Sequence, residues 1–322
     1  MQRGSAPHRA ICEKIVFSIE DGKGPSHVQS KYRLGRIISG ILYLDPYEAL
    51  YLVIKGRITA ENPSMRSMLS LISAFDQTPG FTDRFYLFQL LKSKGFQVKV
   101  ENNLMYYRKT SREEYSGPVA TVREDRTISF SQLVSSSDSL YAAIDDDHDI
   151  TMFVARRFEP EGSVRTVLGT PVNIVDLKGT PASEDSGIPD WMGTTIGNIR
   201  LLNEYEAALL SGTEVDDKNL TMTVFRDLVA RGFIVRTGFK YGANFRVYGI
   251  NIDAHAEFLV HVLEEKEEWY KISRAVRVAQ GVRKEMVFAG RSGSETAYVK
   301  IIRVRDPFLN GDQIWDSKSS IE

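Results

Sequence analysis

The stretch FYLFQLLKSKGFQVKV, Phe85 to Val100, reads as an amphipathic helix that stops at a glycine and turns into a strand. MTVFRDLVARGFIVRT, Met222 to Thr237, reads the same way. Phe88, Leu91, Gly95, Phe96 and Val98 fall opposite Phe225, Leu228, Gly232, Phe233 and Val235. The glycine suits the left-handed residue that closes a helix, where a side chain costs free energy. A module that occurs twice in this detail makes the chain read as duplicated.

Outward from these modules the correspondence continues. LDPYEALYLVIKG (Leu44 to Gly56) parallels LNEYEAALLSG (Leu202 to Gly212), again a helix closed by glycine. YAAIDDDHDITMFVARRF (Tyr141 to Phe158) parallels VFAGRSGSETAYVKIIRV (Val287 to Val304), each a hairpin with a polar loop between apolar strands. The stretch from about Thr170 to Trp191, with Pro171, Pro181 and Pro189, reads as a connection. The expected fold is mixed α/β (α+β), in two repeats with a small helical subdomain in each. The first repeat spans 1–165, the connection 166–191 and the second repeat 192–322.

The 322 residues are 42% hydrophobic and 26% charged, which fits a globular, soluble chain. No apolar run approaches the roughly 18 residues that span a bilayer, so no membrane partner is expected. Cys12 is the only cysteine, which excludes an internal disulfide and a thiolate metal cluster and suits a cytoplasmic setting. The net charge of −1 hides a segregation. Arg274, Arg277, Arg283, Lys284, Arg291, Lys300, Arg303 and Arg305 face only Glu285 and Glu295 in the same stretch, while Asp145, Asp146 and Asp147 sit together elsewhere. Such segregation points to a polyanion site.

The second repeat holds the reactive side chains; Phe81 to Ser139 contains no histidine. Strands are expected over Phe239 to Tyr248, and a strand with one buried face over Phe258 to Val262. A helix is expected over Lys271 to Lys284, with Ile272, Ala275, Val276, Ala279, Val282 and Met286 on its buried side. Ser273, Arg277, Gln280 and Lys284 line another stripe of that helix. The carboxylate cluster that a metal-dependent nuclease needs is absent from Arg231 to Tyr248.

The segments Gly238 to Tyr248 (GFKYGANFRVY), His255 to Val260 (HAEFLV) and Arg274 to Ala289 (RAVRVAQGVRKEMVFA) resemble the catalytic repeat of archaeal tRNA-splicing endonucleases. The two-repeat layout is similar to the homodimeric branch of that family. The resemblance implies a nuclease-like mixed-sheet subdomain at about 216–310 and cleavage of precursor tRNA, or other bulge–helix–bulge RNA, without metal or cofactor. The products would be 2′,3′-cyclic phosphate and 5′-hydroxyl ends. It maps a catalytic triad onto Tyr248, His255 and Lys284. These residue types fit a reaction whose nucleophile is the RNA 2′-hydroxyl. An imidazole near neutrality suits the acid, a fixed ammonium suits the phosphorane charge, and a phenol acts as base only if nearby cations lower its pKa. Arg246 and Arg283 are candidate RNA contacts that also supply such cations. The resemblance further assigns Arg277 and Arg303 to sandwich a flipped base, and Asp145, Asp146, Asp147 and Asp149 to dock into a basic groove of a second subunit. The sequence departs from the family pattern in a short Tyr248–His255 connection, in Asn244 for an acid and in Glu285 for a cation. The alternative reading is a non-catalytic structural subunit that binds RNA.

Overall fold

The computed structural model describes residues 8–20, 22, 24–136, 139–166, 171–212 and 219–304. Arg305, residues 216–218 and 305–310 of the expected nuclease-like part, and residues 167–170 of the connection lie outside them. The chain divides into two compact units, Met1–Thr121 with Ile144–Ile150, and Val122–Ala143 with Thr151–Glu322.

In the first unit a five-stranded sheet runs in the order Arg36–Ile38, Ile41–Tyr43, Arg9–Cys12, Ile15–Ile19, Ile58–Ala60. The expected helical subdomain is therefore mixed: helices Pro25–Tyr32, Pro46–Ile54 and Met68–Phe75 accompany a sheet whose strands are only three to five residues long. Helix Pro46–Ile54 starts in a capping box, in which Asp45 accepts from the Glu48 amide at 2.8 Å and Glu48 accepts from the Asp45 amide at 3.0 Å. Helix Phe81–Ser93 follows, and Tyr47 stacks on Phe81 with ring centroids 4.8 Å apart. Gly95 then takes φ 86° and strand Gln97–Glu101 begins, as the periodicity requires.

The second unit holds helix Leu220–Ala230, Gly232 at φ 88° and strand Ile234–Thr237 in the same succession. Its sheet continues through Phe245–Tyr248, Phe258–Val262, Glu285–Ser292, Glu295–Val304, Ile150–Arg157 and Ser139–Ile144. From Ile234–Thr237 to Ile150–Arg157 neighbouring strands are antiparallel except Phe258–Val262 and Glu285–Ser292, which are parallel and joined by helix Trp269–Gly281. Phe258, Leu259 and Val260 are all buried, so this strand is covered on both faces and not on the expected one. Helices Leu220–Ala230 and Trp269–Gly281 both pack on it. Trp269 is fully buried, 4.9 Å from Tyr141 and 5.7 Å from Phe153 between ring centroids. The core of this unit gathers Phe225, Phe233, Phe258, Val260, Val287 and Tyr298.

Residues of the expected connection are built into this unit. Val175–Asp176 and Pro181–Ser183 form a four-stranded sheet with Ile199–Leu201 and Thr194–Ile196, and Ile188, Trp191 and Met192 are buried. Helix Glu204–Leu210 follows, with an Asn203–Glu206 capping box. Among the described residues no helix is long and apolar enough to cross a membrane.

Candidate active site

Three strand ends meet at one edge of the second unit's sheet. Val247 pairs with Phe258, and Phe258 pairs with Glu285, so the end of Phe245–Tyr248 adjoins the starts of Phe258–Val262 and Glu285–Ser292. Tyr248 closes the first of these strands, His255 lies in the loop before the second, and Lys284 immediately precedes the third. Residues distant in sequence are thus brought to one place by strand pairing.

Only the segment Phe245–Tyr248 of the expected Phe239–Tyr248 stretch is a strand. Phe239–Tyr241 is a 3-10 turn, because the Gly238 amide donates to the Asn244 carbonyl at 2.9 Å and the chain folds back on itself. Asn244 then accepts from the Val262 amide through Oδ1 at 2.8 Å, which gives this departure from the family pattern a structural task. Tyr248 is 7% exposed, and the Arg246 guanidinium carbon lies 6.0 Å from its ring centroid, the two residues sharing one face of the strand. Arg246 is itself held by a 2.9 Å bond from Nε to the Thr237 carbonyl. On the far side, Ser163 donates from Oγ (2.7 Å) and from its amide (3.1 Å) to the Gly249 carbonyl, fixing the chain where it leaves Tyr248.

The expected helix to Lys284 ends earlier, at Gly281. Val282 caps it, and Arg283 adopts φ 56° in the left-handed region. The Lys284 amide donates to the Ala279 carbonyl at 2.9 Å and the Arg283 amide to the Gln280 carbonyl at 3.0 Å. This paired closure turns the chain sharply off the helix. Ile272, Val276 and Ala279 keep the predicted buried face, Ala275 is half-buried, Val282 is exposed, and Met286 is buried on the next strand. Lys284 Nζ then donates to the Ala256 carbonyl at 2.9 Å, which holds the ammonium against the loop that carries the exposed His255. Glu285, the other departure, makes a 2.6 Å ion pair with Lys300 on the facing strand.

Arg277 and Arg303 are both exposed, on neighbouring elements. Gln280, one turn beyond Arg277, donates from Nε2 to the Arg303 carbonyl at 3.1 Å and ties helix to strand. Arg283 is exposed at the helix stop. His261, in contrast, is half-buried within its strand, 3.8 Å from Glu267; burial lowers its pKa, with Glu267 opposing. Among the described residues no three His, Cys, Asp or Glu side chains are grouped as metal ligands.

The acidic residues lie in the first unit, in a turn closed by its own hydrogen bonds. Asp145 Oδ1 accepts from the Asp149 amide at 2.8 Å, and the Asp145 carbonyl from the His148 amide at 3.0 Å. His148 takes φ 64°, with its ring 4.5 Å from that of Tyr86. Asp146, Asp147 and Asp149 are exposed, and Asp145 is half-buried.

A family model described as the tRNA intron endonuclease catalytic C-terminal domain matches residues 219–298, the span that holds these three strand ends. The tRNA-splicing endonuclease of Thermoplasma volcanium is 38% identical over 296 residues, covering 92% of this chain and 98% of the relative. That of Picrophilus torridus is 30% identical over 296 residues, covering 90% and 95%. That of Methanococcoides burtonii is 25% identical over 329 residues, covering 84% and 92%. A match of this identity over nearly the whole length shows that the chain belongs to the tRNA-splicing endonuclease family.

Proposed function

We propose that the chain cuts precursor tRNA at bulge–helix–bulge junctions by metal-independent transesterification at Tyr248, His255 and Lys284. The observation that carries this reading is Lys284 Nζ held at the Ala256 carbonyl, next to His255 and on the sheet edge where Tyr248 ends its strand beneath Arg246. Tyr248 takes the 2′-hydroxyl proton, with the Arg246 guanidinium 6.0 Å from its ring centroid. The 2′ oxygen attacks the phosphorus, Lys284 balances the charge that develops on the phosphorane oxygens, and His255 protonates the departing 5′ oxygen. The P–O5′ bond breaks as the P–O2′ bond forms, leaving a 2′,3′-cyclic phosphate and a 5′-hydroxyl. Arg277 and Arg303, joined through Gln280, present two guanidinium planes that suit a flipped base, and Arg283 offers charge to a phosphate.

The working enzyme is a homodimer of two-repeat chains, with 1–165 supporting and 192–322 catalytic. The exposed Asp146, Asp147 and Asp149, preorganised by the Asp145 turn, supply the acidic contact to the second subunit. Two glycine-closed helix–strand modules with φ 86° and 88°, and the capping boxes that open the paired helices Pro46–Ile54 and Glu204–Leu210, support the duplication.

Pure protein incubated with intron-containing precursor tRNA in excess EDTA tests the chemistry. Cyclic-phosphate and 5′-hydroxyl ends are expected; 3′-hydroxyl and 5′-phosphate ends, or a requirement for divalent metal, would overturn it.

A further inference from the structure

We propose that the first unit carries a second RNA contact, a patch of interleaved cations and tyrosines that holds the phosphate backbone of the precursor away from the cut junction. The proposal rests on the RNA-cleaving reading above and adds a site to it. Helix Pro25–Tyr32 ends at Arg33, in a left-handed turn with φ 54° and Lys31 in its last turn. Helix Pro46–Ile54 ends at Lys55, followed by Gly56 and Arg57. Arg57 Nε donates to the Tyr32 hydroxyl at 2.6 Å and so brings the two ends together. Lys31 Nζ lies 5.5 Å from the Tyr32 ring centroid, and Lys55 Nζ lies 5.5 Å from that of Tyr51. Lys31, Arg33 and Lys55 are exposed, and both tyrosines and Arg57 are half-buried.

Cations at helix C-termini usually offset the helix dipole, and magnitudes decide whether that suffices here. Two helix ends bring about −0.5 charge each. Those four cations and Lys92, whose Nζ donates to the Tyr32 carbonyl at 2.8 Å, stand against that total, against Glu48 facing Lys92, and against Glu20, whose amide donates to the Arg57 carbonyl at 3.0 Å. About two positive charges are left over. Dipole compensation also has no use for aromatic planes between the cations. Phosphate-binding cations interleaved with ring faces are the chemistry of a nucleic-acid surface, where the sugar–phosphate chain and unstacked bases are held together. An acidic protein segment is met by the cations alone.

The test uses the full chain carrying Lys31→Glu with Lys55→Glu, both on exposed positions, and the milder Lys31→Ala with Lys55→Ala. Two RNAs are compared: an intron-containing precursor tRNA, and a minimal duplex holding only the two bulges and the helix between them. The glutamate pair should weaken gel-shift binding of the whole precursor, and raise its KM, by about tenfold or more. The alanine pair should do so by about threefold. The salt dependence of log binding should flatten by about 1.5, for two lost phosphate contacts. Cleavage of the minimal duplex and kcat on both RNAs should be unchanged. Unchanged binding of the whole precursor overturns the proposal. So do equal losses on both RNAs together with slower sedimentation, which would assign the patch to contact between chains. Absence of cleavage by the wild-type chain would sink the endonuclease reading instead, while the gel shift still reads the patch.

Discussion

The two helix–glycine–strand modules can be laid side by side through their strand registers. Gln97 pairs with Arg108 in the first and Ile234 with Tyr248 in the second, so Arg108 stands where the second unit has Tyr248. Tyr107 pairs with Ser116, as Val247 pairs with Phe258. Counting three residues back puts Glu113 at the place of His255. The Arg108 guanidinium lies 4.3 Å from the Tyr115 ring centroid. The Glu113 carboxylate accepts from the Lys109 amide at 3.0 Å and the Thr110 hydroxyl at 3.1 Å, holding its own turn. The backbone device is the same in both modules, and the titratable groups at its sheet edge differ. The turn and strand geometry comes from glycine φ and apolar periodicity, which place no demand on those edge residues, so chemistry changes there without disturbing the scaffold.

The sharpest way to break this comparison is kinetic. His255→Ala, and separately Lys284→Ala, should slow single-turnover cleavage by roughly 10²–10⁴-fold with RNA binding nearly intact. Glu113→Ala, at the matching place, should leave the rate alone. Equal rates for His255→Ala and wild type would remove the catalytic distinction between the two regions.

The glycines give the next largest contrast. A Cβ on Gly232 would meet the Gly162 carbonyl oxygen at 2.7 Å and the Val164 oxygen at 3.2 Å, whereas one on Gly95 meets nothing within 4 Å. Gly95→Ala should cost about 1 kcal/mol for its positive φ alone. Gly232→Ala should cost roughly 2–4 kcal/mol, since crowding against main chain adds to that. Urea denaturation of the two variants reads the difference, and equal midpoints would mean that the Gly162 segment yields freely.

The capping boxes differ in charge, and pH separates them. Burial, with repulsion from Glu48 second, pushes Asp45 up to about 7. Its folded pKa thus exceeds the unfolded value, so its contribution to stability is full below about pH 4 and is lost as pH rises through about 7. The second unit has Asn203 at the equivalent cap. Asp45→Asn should keep the cap and, at pH 8, stabilise the chain by on the order of 1–2 kcal/mol relative to wild type. Its stability between pH 5 and 8 should be flatter. Parallel pH profiles for the two proteins would contradict the coupling of the half-buried Asp45 and Glu48.

The smallest effect on the chain itself is expected in the acidic turn. Changing Asp146, Asp147 and Asp149 to asparagine, with Asp145 kept for its turn, should shift unfolding by less than about 0.5 kcal/mol. Sedimentation should nevertheless show dissociation towards monomer and a loss of cleavage. A dimeric, active product would rule out the docking role.

Helices long enough to show several turns of apolar spacing, and hairpins with two apolar arms, were legible in the sequence. Strands such as Arg9–Cys12, Ile58–Ala60 and Pro181–Ser183 were not, because three or four residues hold too few alternations to register. The expected helix Lys271–Lys284 begins two residues late and runs three past the stop of Trp269–Gly281, because Val282 continues the apolar spacing; the nearby Gly281 was the available stop signal. The identities of Tyr248, His255 and Lys284 came from resemblance, not spacing. Their juxtaposition depends on strand pairing between distant segments, backed by side-chain to main-chain bonds from Lys284 to Ala256 and from Ser163 to Gly249. Bonds to a carbonyl leave no compositional mark on the residue that accepts.

The stop after Gly281 makes the position of Lys284 a matter of chain length. Arg283 is an ordinary residue in a left-handed turn, and the two amide bonds that close the helix ask nothing of the side chains between Ala279 and Lys284. Substitutions at the exposed Val282 should therefore be tolerated, while Gln280 and Arg283 keep the contacts given above. An insertion or deletion of one residue is a different event, since each helical step rotates the chain by about 100° and advances it by about 1.5 Å. A single-codon deletion before Ala279 would swing the Ala279 carbonyl to another face and deliver the lysine away from Ala256. Variation in this stretch should accordingly allow replacements at Val282 and be poor in changes of length.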